Sequence, residues 1–405
     1  MVKGVSTATL MKTSLRFSAL MCAFLFTSTM SIFAQGSLTP PGPPAPTMKS
    51  LDQIEARTIV NAANTPGDSA NQFIIIAPGS YYLTGNITGV SGKSGISIRA
   101  DNVTLDLNGF ALIGVTGSFS GITVPAAHQN LRIRNGSAQS WGGSGINCTN
   151  ATNSQFDHLR VSQNLGDSGA GLACGNSNVL SEISAEANTN NGILTGESCT
   201  ITASTSAGNI YGFNIQNHCT IIGCTAVSNS GIGIYPSGNC TIKDCTAALN
   251  GTGIDAGDAA MSSIVGCTVL QNTINGIVSG DDSLVMGNNA SGNGIDGIQA
   301  ASNVRIVGNN ATANGTGSGT AGIHVNGNGG TIESNTSSNN HFDGILFDTG
   351  TKDNFVFKNV ARNNGGFNYR VPNLVSNNGL TGAGNNEVAP LAVPMSATSP
   401  WANFQ

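Results

Sequence analysis

Apolar residues along this chain fall in short alternating runs, and Gly, Asn or Pro ends each run. Phe73-Ile74-Ile75-Ile76 stops at Pro78-Gly79, and Val103-Thr104-Leu105-Asp106-Leu107 alternates cleanly before Asn108-Gly109. This period-2 pattern predicts strands with one buried face. No window keeps a helical period long enough for a crossover helix, which disfavours doubly wound and barrel α/β folds.

From residue 121 to 346 the pattern repeats. A Gly followed by Ile, Leu or Phe recurs at Gly121-Ile122, Gly145-Ile146, Gly171-Leu172, Gly192-Ile193, Gly212-Phe213, Gly233-Ile234, Gly253-Ile254, Gly276-Ile277, Gly297-Ile298, Gly322-Ile323 and Gly344-Ile345, spaced by 20 to 26 residues. Each repeat reads Gly-Ile-x-apolar, a turn, a second apolar strand, then a strand of small residues ending in Asn. Three short strands with sharp turns make one coil, stacked on the next at about 4.8 Å. Leucine-rich repeats share this period, but their Leu spacing is absent. The prediction is an all-β, single-stranded, right-handed parallel β-helix of about eleven or more coils, the hand following the preference of parallel crossovers.

The repeats align further residues into ladders. Asn164, Asn188, Asn229, Asn250, Asn272, Asn293, Asn314, Asn339 and Asn363 share one register, with the missing rung at Gly208 beside Asn209. Asn tolerates left-handed turns, and its amide can satisfy turn backbone while bonding the rungs above and below, so a structural ladder is expected. Cys199, Cys219 and Cys240 form a second ladder, and Cys224, Cys245 and Cys267 a third, while Cys148 and Cys174 sit on interior positions. Small apolar core fillers are the preferred reading. Disulfides between rungs are an alternative, and no Cys-x-x-Cys spacing supports zinc.

Composition narrows the partners. A net charge of −5, with only 9% charged residues, argues against nucleic acid. Lys12 and Arg16 precede the apolar run Phe17 to Phe33, and Ala34 follows, so residues 1–34 read as an export signal. No later segment is apolar enough to span a membrane. The predicted organisation is a signal peptide (1–34), a Pro-rich linker (35–47), an N-terminal cap and first coils (48–120), β-helix repeats (121–365) and a C-terminal capping tail (366–405). The cap includes a short helix starting at Ser50, with Gln53 as its capping-box partner. The mature chain is expected outside the cytoplasm, secreted or at the cell surface.

Pro78-Gly79-Ser80-Tyr81-Tyr82-Leu83-Thr84-Gly85-Asn86, Asp101 through Gly109, and the closing Pro400-Trp401-Ala402-Asn403-Phe404 resemble secreted bacterial right-handed β-helix repeat proteins of pectate-lyase-like architecture. The resemblance covers roughly residues 48–405 and is specific for fold. It implies an activity range from polysaccharide lyases and glycosidases to members without assigned activity. Inverting glycosidases of this architecture carry Asn-x-Asp, Asp-Asp, Gly-His-Gly and Arg-x-Lys; here only Asp281-Asp282 matches. Pectate lyases need calcium-binding carboxylates and a proton-abstracting Arg; Asp157-His158 resembles one of their short motifs, but Phe156-Asp157-His158-Leu159 is equally an ordinary strand with polar residues between apolar ones.

Candidate site residues follow from strand parity. The residue after each apolar member points outward, giving Asn214, Tyr235, Asp255, Val278, Gln299, His324 and Leu346. Tyr235 could stack on a sugar ring, with Asp255, Gln299 and His324 bonding hydroxyls. Asp255, Asp258 and Asp281 are the catalytic candidates. Asp258 and Asp281, with Asp282 beside them, lie four residues past the buried position on adjacent coils; they would repel, shift a pKa or recruit calcium, or simply form a solvated Asp-rich turn. The loop carrying Asp258 is two residues longer, so a convergent groove requires a particular register. The expected function is binding or processing of extracellular polysaccharide, with calcium as an optional cofactor and no complete catalytic motif. The alternative is a non-catalytic surface or matrix protein.

Overall fold

The computed structural model describes residues 56–166, 169–371, 374–376, 386–388, 391–392 and 402–404. The expected export signal (1–34), linker (35–47) and helix starting at Ser50, together with Pro400-Trp401, lie outside the described residues. Those that are described form strands and turns, with no helix.

The chain winds as a right-handed parallel β-solenoid of about 14 turns. One face is a 14-stranded sheet running from Asn71–Ile75 to Tyr369–Arg370, with one strand per turn. The other two faces merge into a 28-stranded sheet. Along the first sheet, Ile122, Ile146, Leu172, Ile193, Phe213, Ile234, Ile254, Ile277, Ile298, Ile323 and Ile345 pair in unbroken succession, each fully buried. Each such burial contributes roughly 2 kcal/mol. The eleven repeat pairs are therefore one interior column.

The glycines of these pairs have a different cause from the one their sequence context suggests. None adopts a left-handed φ, so they are not turn residues. A Cβ on Gly233 would lie 2.6 Å from the Gly253 carbonyl oxygen and 2.7 Å from Asn250 Nδ2. The adjoining coil and the Asn ladder leave no room for a side chain.

That ladder is continuous, with three changes from the predicted rungs. Asn209 itself fills the gap beside Gly208, and Asn340 and Asn364 replace Asn339 and Asn363. Asn339 and Asn363 instead take left-handed turn positions at φ 55° and 56°. In a representative rung, the Asn229 backbone N–H and its Nδ2 both donate to Asn250 Oδ1, at 2.9 Å each. A second ladder runs through Asn288, Asn309, Asn335, Asn359 and Asn403. Its first rung accepts from the backbone N–H of Cys267, so it continues one cysteine column. The other cysteine column accepts backbone N–H groups through sulfur and gives way to Ser262 and Ser283. These cysteines are turn acceptors interchangeable with Asn and Ser, as well as core fillers. All eight described cysteines are free and buried.

Described strands of the C-terminal segment pair with the last coils. Asn386–Val388 pairs with Phe355–Phe357, and Asn403–Phe404 with Val360–Arg362. Asn403 supplies the last rung of the second ladder to Asn359. Pairing of this kind covers edges that would otherwise be open to other chains.

Candidate functional site

The outward column of the 14-stranded sheet is the one the repeat parity predicts. Asn214 pairs with Tyr235, and Asp255, Val278, Gln299, His324, Leu346 and Arg370 follow in register. Two groups of side chains along it can meet a ligand.

The first group lies mid-sheet on strands Tyr211–Ile215, Ile232–Pro236 and Thr252–Ala256. Tyr211 and Tyr235 stack with ring centroids 5.9 Å apart and planes 27° apart. Tyr211 has the strand parity of buried Phe213, but it is half-buried at the start of its strand and its ring reaches the outward face through this stack. Asp255 accepts the Gly257 N–H at 3.1 Å. Burial, followed by the charge of Asp258, raises the Asp255 pKa. Burial also raises the Tyr235 pKa, assisted by Asp258, Asp255 and Tyr211. Tyr235, Asp255 and Asp258 therefore share one neighbourhood.

Asp281 does not stack on Asp258. The Met261 N–H donates to the Asp281 carbonyl, which sets Asp281 level with Ala260, and the extra residues of the preceding turn carry Asp258 out of that register. The Asp281 carboxylate accepts the Ser302 N–H at 2.8 Å, and Asp282 accepts Asn303 Nδ2 at 3.0 Å. Both are turn-capping groups between coils. Among the described residues, no group of three or more His, Cys, Asp or Glu side chains is arranged to hold a metal ion. Asp157, from the short motif with His158, is a buried rung of the other sheet, bound by Arg132 Nε at 2.9 Å. Gln299 accepts Asn275 Nδ2 at 3.1 Å and stands between the two groups.

The second group closes the C-terminal end of the column around an open pocket of about 660 Å³. His324 is held at both ring nitrogens, by Asp296 at 2.8 Å and Asp348 at 3.0 Å. Burial opposes its charged form, but the hydrogen bonds and charges of Asp296 and then Asp348 outweigh burial and raise its pKa to about 9. Asp296 is locked in turn by the Ala321 N–H. Asp343, fully buried, takes the Arg370 guanidinium through Nε and Nη2 and the Phe367 N–H at 2.8 Å. The guanidinium centre sits 4.5 Å from the Phe367 ring centroid and 5.2 Å from that of Phe342. Phe367 is 57% exposed, so its ring is open to solvent beside the guanidinium.

Of the residues lining this pocket, the repeat indexing predicts His324 and Leu346. Asp296 and Asp343 stand just before the repeat glycines, outside the outward column. Arg370 lies one rung beyond the last Gly-Ile pair, where Asn368-Tyr369 replaces it. Extending the column by one coil would have reached it.

A parallel β-solenoid with an outward strip of aromatic and polar side chains defines the class as a β-helix. Residues 210–361 match the family described as the right handed beta helix region. No curated protein sequence matches the chain. Among solved structures, the A-module of the Azotobacter vinelandii mannuronan C-5 epimerase AlgE4 superposes with a TM-score of 0.50 at 16% identity, covering 77% of this chain and 91% of that one. A double mutant of the periplasmic alginate epimerase AlgG gives a TM-score of 0.50 at 13% identity, covering 72% and 81%. At these identities the likeness is one of fold.

Proposed function

We propose that this chain is an extracytoplasmic polysaccharide-binding β-helix whose ligand lies along the outward face of the 14-stranded sheet. The observation that carries this reading is the pocket around His324, Phe367 and Arg370, on the same column as the Tyr211–Tyr235 stack. Exposed rings suit the apolar faces of sugars, and fixed polar groups beside them suit hydroxyls. Six rungs separate Tyr235 from Arg370, about 29 Å at the inter-strand spacing of ~4.8 Å. That span suits an extended chain of several sugars rather than a monosaccharide. Two fold neighbours, the epimerases, are named for mannuronan and alginate, which supports a carbohydrate role for the scaffold.

The reading is of binding rather than turnover. Both nitrogens of His324 are engaged by carboxylates, which leaves it no free position from which to take a substrate proton in this arrangement. Affinity electrophoresis through gels containing soluble polysaccharides tests the proposal. Retardation of the wild-type chain by at least one polysaccharide is expected, and Phe367→Ala and Tyr235→Ala should each reduce it. Unretarded migration in every gel, or retardation that neither substitution alters, would overturn it.

A further inference from the structure

The charge of the C-terminal pocket allows its ligand to be specified more closely, resting on the reading that this face binds polysaccharide. Two cations face it, His324 and Arg370, and both are already paired. Arg370 is bound through two nitrogens to buried Asp343 and is flanked by the Phe342 and Phe367 rings. His324 lies between Asp296 and Asp348. Three carboxylates thus meet two cations. The one that reaches solvent is Asp348, whose side chain is 51% exposed, whereas those of Asp296 and Asp343 are 3% and 0% exposed.

An incoming carboxylate would find no unpaired cation and would face the exposed Asp348 across a pocket walled by rings. Like charges at such range repel, and desolvating the ligand carboxylate adds to the cost. An uncharged ring escapes both penalties. Phe367 offers it an exposed flat face, and the remaining lone pairs of Asp348 can accept sugar hydroxyls while His324 keeps its carboxylate in place. We infer that the pocket formed by His324, Asp348, Phe367 and Arg370 selects an uncharged, hydroxyl-bearing sugar unit and rejects uronates.

A glycan array bearing neutral, uronate and amino-sugar oligomers of equal length, probed with the full chain at low ionic strength, tests this. The expected outcome is that neutral oligomers form the strongest class, with uronates at least tenfold weaker. Asp348→Asn should narrow that gap to about threefold or less by strengthening uronate binding, and Phe367→Ala should weaken the neutral class. Uronates or amino sugars as the strongest class would overturn the inference while leaving the polysaccharide reading intact. So would an unchanged neutral-to-uronate ratio in Asp348→Asn. Absence of binding to every class would overturn both.

Discussion

Replacing Asn250 by Ala removes one rung from the longer amide ladder and should destabilise the solenoid far more than its small volume implies. Four hydrogen bonds depend on this side chain. Its Oδ1 accepts from the Asn229 backbone N–H and from Asn229 Nδ2, and its own Nδ2 donates to the Ala226 carbonyl at 3.1 Å and to Asn272 Oδ1 at 3.2 Å. Asn229 and Asn250 are each about 1% exposed, so water cannot substitute. Leaving the Asn229 N–H unpaired costs about 1–3 kcal/mol, and each further lost bond costs about 1 kcal/mol. The expected loss is roughly 4–6 kcal/mol, above the usual range for a single substitution. Urea unfolding followed by far-UV circular dichroism should show a lowered midpoint, with Asn310→Ala, whose side chain is exposed, shifting it little. If Asn250→Ala unfolds within about 0.5 kcal/mol of wild type, the ladder is ornamental and the reasoning is refuted.

Other outcomes follow from the same geometry. Gly233→Ala places a Cβ 2.6 Å from a backbone oxygen of the next coil, so it should destabilise by about 2 kcal/mol or more in the same urea assay, even though Ala is favoured over Gly by local propensity. His324 has a pKa raised to about 9, so its pairing contributes stability that is complete below about 6.5, its ordinary value, and is lost as pH rises through about 9. Thermal melts from pH 6 to 10 should show this fall, worth up to about 3 kcal/mol, and His324→Gln should flatten it. The eight described cysteines are free and buried, so a thiol reagent should label none of them in the native state and all of them in denaturant; fewer than eight after unfolding would reveal disulfides.

The scaffold was legible in the sequence because repetition averages over local ambiguity. Eleven Gly-apolar pairs fix a register that no single strand of three to five residues could, and that register correctly orders Tyr235, Asp255, Val278, Gln299, His324 and Leu346. Where two neighbouring Asn residues compete for one rung, the register alone chooses wrongly. Asn339 and Asn363 have the right spacing, but the left-handed turn claims them and passes the ladder to Asn340 and Asn364. The mismatch between Asp258 and Asp281 was illegible for a related reason, since a two-residue insertion changes which turn positions face each other. Much of the pocket was hidden because its members come from positions that the repeat does not mark. Asp343 meets Arg370 across 27 residues, and Arg370 stands on a coil whose Gly-Ile signature has become Asn368-Tyr369. The sequence shows where a column runs, whereas charge pairing across coils becomes visible only once the turns are placed.

A structure of the chain with its best-bound oligosaccharide would locate the ligand outright. Sugar rings are expected on the outward face of the 14-stranded sheet, with one over Phe367 beside Asp348 and the oligosaccharide extending toward Tyr235. An oligosaccharide seated on the 28-stranded sheet, with Tyr235 and Phe367 untouched, would contradict this placement.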